Sequence, residues 1–221
     1  MAAGPLLMTD NRRDVVDFTS PFLMTQATLL LRRPPSGVDL RIRNLNDLIN
    51  QSEIKYGTLR KGIIPRSFRR TNDSILRIVW RNMLRFGSPV FTGTNEEGID
   101  RVRRDKFAFI LPDTIGEYIA MRQPCDFLTV GTFLMKTGYG LALRKNSGYV
   151  EQFNRGLKTL GKSGFLDRLK NRWWAGRSEC NGIRTGKVYS LNGADALTVQ
   201  SRIVSFYVSS SVILVTFSWT S

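Results

Sequence analysis

Two cysteines, Cys125 and Cys180, are all the thiol chemistry in this chain, and it contains no histidine. Without imidazole there is no Ser-His-Asp or Cys-His catalysis, and the commonest metal ligand is missing. Cysteines 55 positions apart have no zinc spacing. Read alone, they are either a disulfide or two buried thiols, and a disulfide implies an oxidising, extracellular compartment. No nucleophile–base pair or metal constellation is visible, so no enzyme activity, metal or cofactor is expected. Read alone, Arg12 is a surface arginine that can pair with Asp14 or Asp17, and Asp113, just ahead of TIGEYIAM, is a helix cap.

The elements that must position these residues follow from pattern. RRDVVDF (12–18) reads as a short helical turn, and TQATLLLRRPP as a strand stopped by Pro34-Pro35, since prolines cannot continue a ladder. Asn44 with Asp47 caps a short helix carrying Leu45, Leu48 and Ile49. EIKYGTL is a strand. From Pro65 to Leu84 one helix is expected, with Phe68, Ile75, Val79 and Met83 inward and Arg69, Arg70, Arg77, Arg81 and Arg85 on the opposite, solvated face. Gly87-Ser88-Pro89 ends it, and Thr94 with Glu97 forms a capping box for a helix through Arg104. FAFIL (107–111) is a fully apolar strand of the kind buried in a parallel sheet. DFLTVG and GYGLALRK are two more strands, and Ser147 and Ser163 cap two helices. Strands alternating with helices predict an α/β fold. The uncharged run from Ile203 to Ser221 fits either a membrane span or a buried strand.

The 221 residues carry a net charge of +15, with 42% hydrophobic and 10% aromatic residues. Such a charge is a footprint of nucleic-acid or anionic-membrane binding. The basic residues are dispersed, however, and no zinc finger, RNA-recognition motif or polybasic tail accompanies them, so nucleic acid is not the expected partner. Met1 to Met8 lacks the basic flank and apolar run of a secretory signal. For a protein with its amino end outside the cell, that points to a fragment or an incomplete gene model.

Two blocks carry a family resemblance. Gly4 to Pro35 contains GPLLMTDNRRDVVDFTSPF, and Arg41 to Gly182 runs from RIRNLNDLINQSEIKYGTL through QPCD and KTGYGLALRK to GFLDRLKNRWWAGRSEC. In this order they resemble the ligand-binding domain of ionotropic glutamate receptors, closest to the AMPA/kainate branch, over about four-fifths of the chain. The resemblance implies a periplasmic-binding-protein-like (type II) two-lobed clamshell of α/β class, with one lobe incomplete and an apolar C-terminal tail. Residues 1–35 would end the first extracellular ligand-binding segment. Residues 36–43 would be a join where the pore segments are missing, 44–182 the second ligand-binding segment, and 183–221 the tail. One lobe would use Gly4 to Leu31 with roughly 138–174, and the other roughly 45–135.

The resemblance also implies a site. Arg12 stands at the family's carboxylate-binding arginine, and Pro5 at the proline whose carbonyl meets the ligand ammonium. Leu7 replaces a threonine, Ile63 and Ile64 replace a serine–threonine pair, and Pro112 stands where the family has an acid, with Asp113 one place later. Each lost polar contact weakens amino-acid binding by roughly 1–3 kcal/mol, so weak glutamate binding or another small carboxylate is expected. Cys125 and Cys180 occupy the family's disulfide positions, and Trp173 and Trp174 those of core and lobe-packing residues. The function implied is the ligand-binding portion of a ligand-gated cation channel subunit, in the cell membrane at synapses and tetrameric with other subunits. Because the pore segments are missing, the chain should conduct nothing alone. A soluble solute-binding module, or a basic nucleic-acid-binding protein, would be the alternatives.

Overall fold

The computed structural model describes residues 2–34 and 42–180. The tail from 183 to 221, with its expected span, and most of the expected join lie outside the described residues. Among the described residues, no helix is long and apolar enough to cross a membrane.

Among the described residues, seven strands form one mixed sheet: β1 (Ala2–Leu7), β2 (Val16–Phe18), β3 (Leu23–Arg32), β4 (Lys55–Leu59), β5 (Phe91–Thr92), β6 (Phe107–Pro112) and β7 (Phe127–Arg144). Their order is β1-β7-β3-β6-β4-β5, with β2 also on β7. The helices are α1 (Asp10–Arg13), α2 (Leu45–Ile49), α3 (Ile63–Arg70), α4 (Ser74–Phe86), α5 (Asn95–Arg104), α6 (Asp113–Ala120), α7 (Val150–Lys162) and α8 (Phe165–Trp173).

The long antiparallel pair β3–β7 divides the sheet into two halves. The start of β3 pairs with Thr137 to Tyr139, beside β1 and β2, whereas Ala27 to Leu30 pair with β6. The chain therefore crosses between halves near Gln26, inside β3, earlier than the expected boundary at Leu31. Opposite this crossing β7 carries extra residues, with Gly131 at φ 62° and Leu134 at φ 56°. Such bulges bend a strand and sharpen its twist. DFLTVG and GYGLALRK are thus one continuous strand rather than two.

The larger half holds most of the core. Phe107 to Leu111 are all buried, against Leu29, Leu30, Leu48, Tyr56, Phe68, Val79, Met83 and Val102. Burying each such side chain stabilises by roughly 1.5–3 kcal/mol. β6 runs parallel to β4 but antiparallel to β3, so the buried apolar strand lies in a mixed sheet, not a parallel one. The smaller half is partial. α7 and α8 bury no residue, and Tyr149, Leu160, Phe165 and Trp173 stay exposed.

Three local expectations change. The helix read from Pro65 to Leu84 is two, broken at Thr71–Asp73, because Asp73 caps α4 by accepting the Leu76 amide at 2.9 Å. Ser163 does not cap α8; it ends α7, its hydroxyl donating to the Leu160 carbonyl, and left-handed Gly164 begins α8. Ser147 gives α7 no side-chain cap either, since Tyr149 holds that position. The caps at Asn44 and Thr94 form as expected.

Candidate functional site

Arg12 sits on the one-turn helix α1, which the Thr9 carbonyl opens by accepting the Arg12 and Arg13 amides. Its exposed guanidinium folds back and donates to the Leu7 carbonyl at 2.9 Å. Leu7 ends β1 opposite Tyr139, and Pro5 lies in the same strand. These three residues thus share one short stretch at the edge of the smaller half.

The other four come from the larger half. Ile63 and Ile64 open α3 after Gly62, whose φ of 137° is a conformation glycine tolerates. No side chain caps α3, and Pro65 in its first turn has no amide to satisfy. Pro112 ends β6 beside them. Ile63, Ile64 and Pro112, with Leu59, Ile110 and Leu111, line an apolar cavity of about 50 Å³. Asn95 lines it too, and its carboxamide oxygen is buried without a partner among the described residues.

Asp113 is engaged elsewhere. Its Oδ1 accepts the Thr25 hydroxyl and the Thr114 amide, both at 2.7 Å. The expected Asp113 cap does not form. Pro112 holds the cap position without a side-chain bond, and Asp113 serves the next amide from inside the first turn. One turn on, burial pushes the Glu117 carboxyl above its ordinary range, opposed by Lys170 at 3.7 Å.

A larger cavity, about 360 Å³, opens between the halves. Met8, Thr9 and Asp10 form one wall, Ile63, Arg66, Ser67, Arg70 and Thr71 another, and Leu134 and Thr137 of β7 the back. Arg70 pairs with Asp10 across it at 3.4 Å, and Arg66 donates to the Asn11 carboxamide at 3.4 Å. Of the expected site residues only Ile63 lines this cavity; Arg12 lines neither. The resemblance pointed away from Arg66 and Arg70. Their signal was the i,i+4 spacing on one helix; the basic-face reading assigned Arg70 to solvent and gave Arg66 no role.

The last of the described residues are tied down around α6. Cys125 and Cys180 form a disulfide with Cα atoms 5.6 Å apart. Trp174 donates its indole N–H to the Thr114 carbonyl at 3.1 Å and meets the Tyr118 ring edge-on. Trp173, expected in the core, is 45% exposed under the Arg177 guanidinium. Glu179 accepts the Gln123 amide and pairs with Arg122 at 2.7 Å, which together hold its carboxyl below the ordinary range. Among the described residues, no three acidic or cysteine side chains gather to hold a metal ion.

Residues 1–176 match the family model of bacterial extracellular solute-binding proteins, family 3. Glutamate receptor 3 of Macaca fascicularis and of Homo sapiens are each 38% identical over 169 residues, covering 76% of this chain and 19% of theirs. The chain therefore spans about a fifth of the length of those curated relatives. A solved structure, the Drosophila muscle GluRIIB complex with glutamate, is 33% identical with a TM-score of 0.67, covering 78% of this chain and 67% of that one. The fold is thus the periplasmic-binding-protein-like α/β clamshell of glutamate receptor ligand-binding domains, with one lobe partial. By the match of its first 176 residues, the chain belongs to the extracellular solute-binding proteins of family 3.

Proposed function

We propose that this chain is the ligand-binding portion of an ionotropic glutamate receptor subunit of the AMPA/kainate type, whose two halves close on a small carboxylate ligand such as glutamate. The observation that carries this reading is the 33% identity to a receptor solved with glutamate, combined with the exposed guanidinium of Arg12 on the smaller half. Arg12 exchanges its 2.9 Å bond to the Leu7 carbonyl for a charge-assisted, bidentate grip on the ligand carboxylate. The free amides of Ile63 and Ile64 at the start of α3 reach from the other half. Contacts made from both sides favour the closed state, a population shift that would gate a pore in the parent channel.

The site is built for a weak grip. Ile63 and Ile64 bring no hydroxyls, Pro112 brings no acid, and Asp113 is occupied by Thr25 and Thr114. Each missing partner lowers amino-acid affinity by roughly 1–3 kcal/mol. Pro5 offers the ammonium a backbone carbonyl in place of an acid. In this reading the parent receptor assembles from several subunits in the membrane, and this chain conducts nothing alone.

Calorimetric titration with glutamate tests the proposal. Binding is expected in the wild-type chain and absent in Arg12→Ala; unchanged binding in Arg12→Ala means the inherited site is not in use. A second reading, a solute-binding module never linked to a pore, is favoured by the family match itself. A detergent-free preparation whose thermal midpoint rises with ligand supports that reading.

A further inference from the structure

The cavity between α1 and α3 carries chemistry that the Arg12 site does not use. At about 360 Å³ it falls within the size range of small-molecule pockets. Its two arginines are matched unequally. Arg70 faces the Asp10 carboxylate at 3.4 Å, whereas the partner of Arg66 is the neutral Asn11 carboxamide, at the long end of hydrogen bonding. Among the described residues, two guanidiniums against one carboxylate leave one positive charge in the walls without a counter-charge. The hydroxyls of Thr9 and Ser67 also line the cavity and bond to no other described residue. The remaining wall is apolar, from Met8, Ile63 and Leu134.

Leu134 supplies an independent observation. Its φ of 56° lies in the left-handed region, where a side chain with a Cβ is strained by about 1–3 kcal/mol. Glycine would take that conformation without strain, as Gly131 does at φ 62°. The leucine holds that strained backbone while its side chain packs partly against the core and lines the back of the cavity.

We propose that this cleft binds a small amphiphilic organic monoanion, an aromatic or short aliphatic carboxylate, with its head on Arg66, Ser67 and Thr9 and its body on Met8, Ile63 and Leu134. The single unmatched charge selects a monoanion over a phosphate dianion. The apolar wall selects a ligand with a hydrocarbon body over an inorganic ion. Thr9 and Met8 belong to the smaller half and Arg66 to the larger, so this ligand also favours the state with the halves drawn together. The site shares Ile63 with the Arg12 site, through the side chain rather than the amide, but its charged and hydroxyl contacts are its own.

Calorimetric titration of the full 221-residue chain with benzoate, benzyl alcohol and inorganic phosphate tests this. Benzoate is expected to bind at least about tenfold more tightly than the other two, since a charge-assisted contact is worth that much. Arg66→Met, which keeps the stem and removes the charge, weakens benzoate binding about tenfold or more and leaves glutamate binding unchanged. Leu134→Gly, which relieves the backbone strain but removes the apolar wall, weakens benzoate binding as well. Absent benzoate binding, or equal binding of benzyl alcohol or phosphate, overturns the proposal. So does benzoate binding that survives Arg66→Met and Leu134→Gly but is lost in Arg12→Ala, which places benzoate in the Arg12 site instead.

Discussion

The Asp113 carboxylate accepts two bonds at 2.7 Å, and one donor, the Thr25 hydroxyl, belongs to a residue only 1% exposed. It is a joint between β3 and α6. Removing it leaves a buried hydroxyl without its acceptor, so Asp113→Ala should cost about 1–3 kcal/mol in urea unfolding. No loss of stability would show instead that the carboxylate is free for a ligand. Glu117, one turn later, gives a pH signature. Burial raises its folded pKa above the ordinary 4.5, against the pull of Lys170. A raised value means that the fold keeps the proton after the unfolded chain has released it. Its contribution is therefore complete below 4.5 and lost as pH rises through the raised value. Glu117→Gln should flatten that fall in the urea midpoint just above pH 4.5. Arg12 and Asp113 could be picked out in the sequence because family positions and side-chain chemistry single them out. The engagement of Asp113 by Thr25, 88 positions away, depends on how β3 docks on α6, and no local pattern encodes it.

At the scale of elements, local chemistry explains what could be read and what could not. Asn44 and Thr94 accept amides three residues on, an interaction contained within one turn, and both caps form. Asp73 is the same kind of cap, but the helical spacing continuing from Phe68 to Met83 hid the break at Thr71. The start of α8 rests on the left-handed backbone of Gly164, while the nearby Ser163 hydroxyl suggested a cap it does not make. Packing of whole elements is less visible still. Gly98 lets α5 approach β6 so closely that an added Cβ would meet the Phe109 ring at 2.4 Å. That ring is fully buried in the core and cannot swing aside. Gly98→Ala should therefore destabilise by about 1–3 kcal/mol, beyond its gain in helix propensity, as measured by the denaturant midpoint. A neutral or stabilising result would mean that α5 can slide outward.

The whole molecule combines one well-filled half, one partial half and a charge of +15. The core residues of β3, β4 and β6 lie in the larger half, so cooperative unfolding should report mainly on that half. Three of the surplus charges sit on the solvent face of α4. Arg77, Arg81 and Arg85 are exposed there at i, i+4 and i+8, and none pairs with a carboxylate among the described residues. Like charges at this spacing oppose a helix by roughly 0.2–0.5 kcal/mol per pair, and Arg81 takes part in both pairs. Arg81→Glu turns two repulsions into two attractions, and a glutamate ahead of Arg85 has the favourable orientation. The expected result is a gain of about 1 kcal/mol and a higher thermal midpoint at low salt. The gain should shrink toward zero near 1 M salt, where the screening length falls to about 3 Å. A loss of stability in Arg81→Glu, or a gain indifferent to salt, would mean that the arginine stem packs against α4 rather than merely charging its surface.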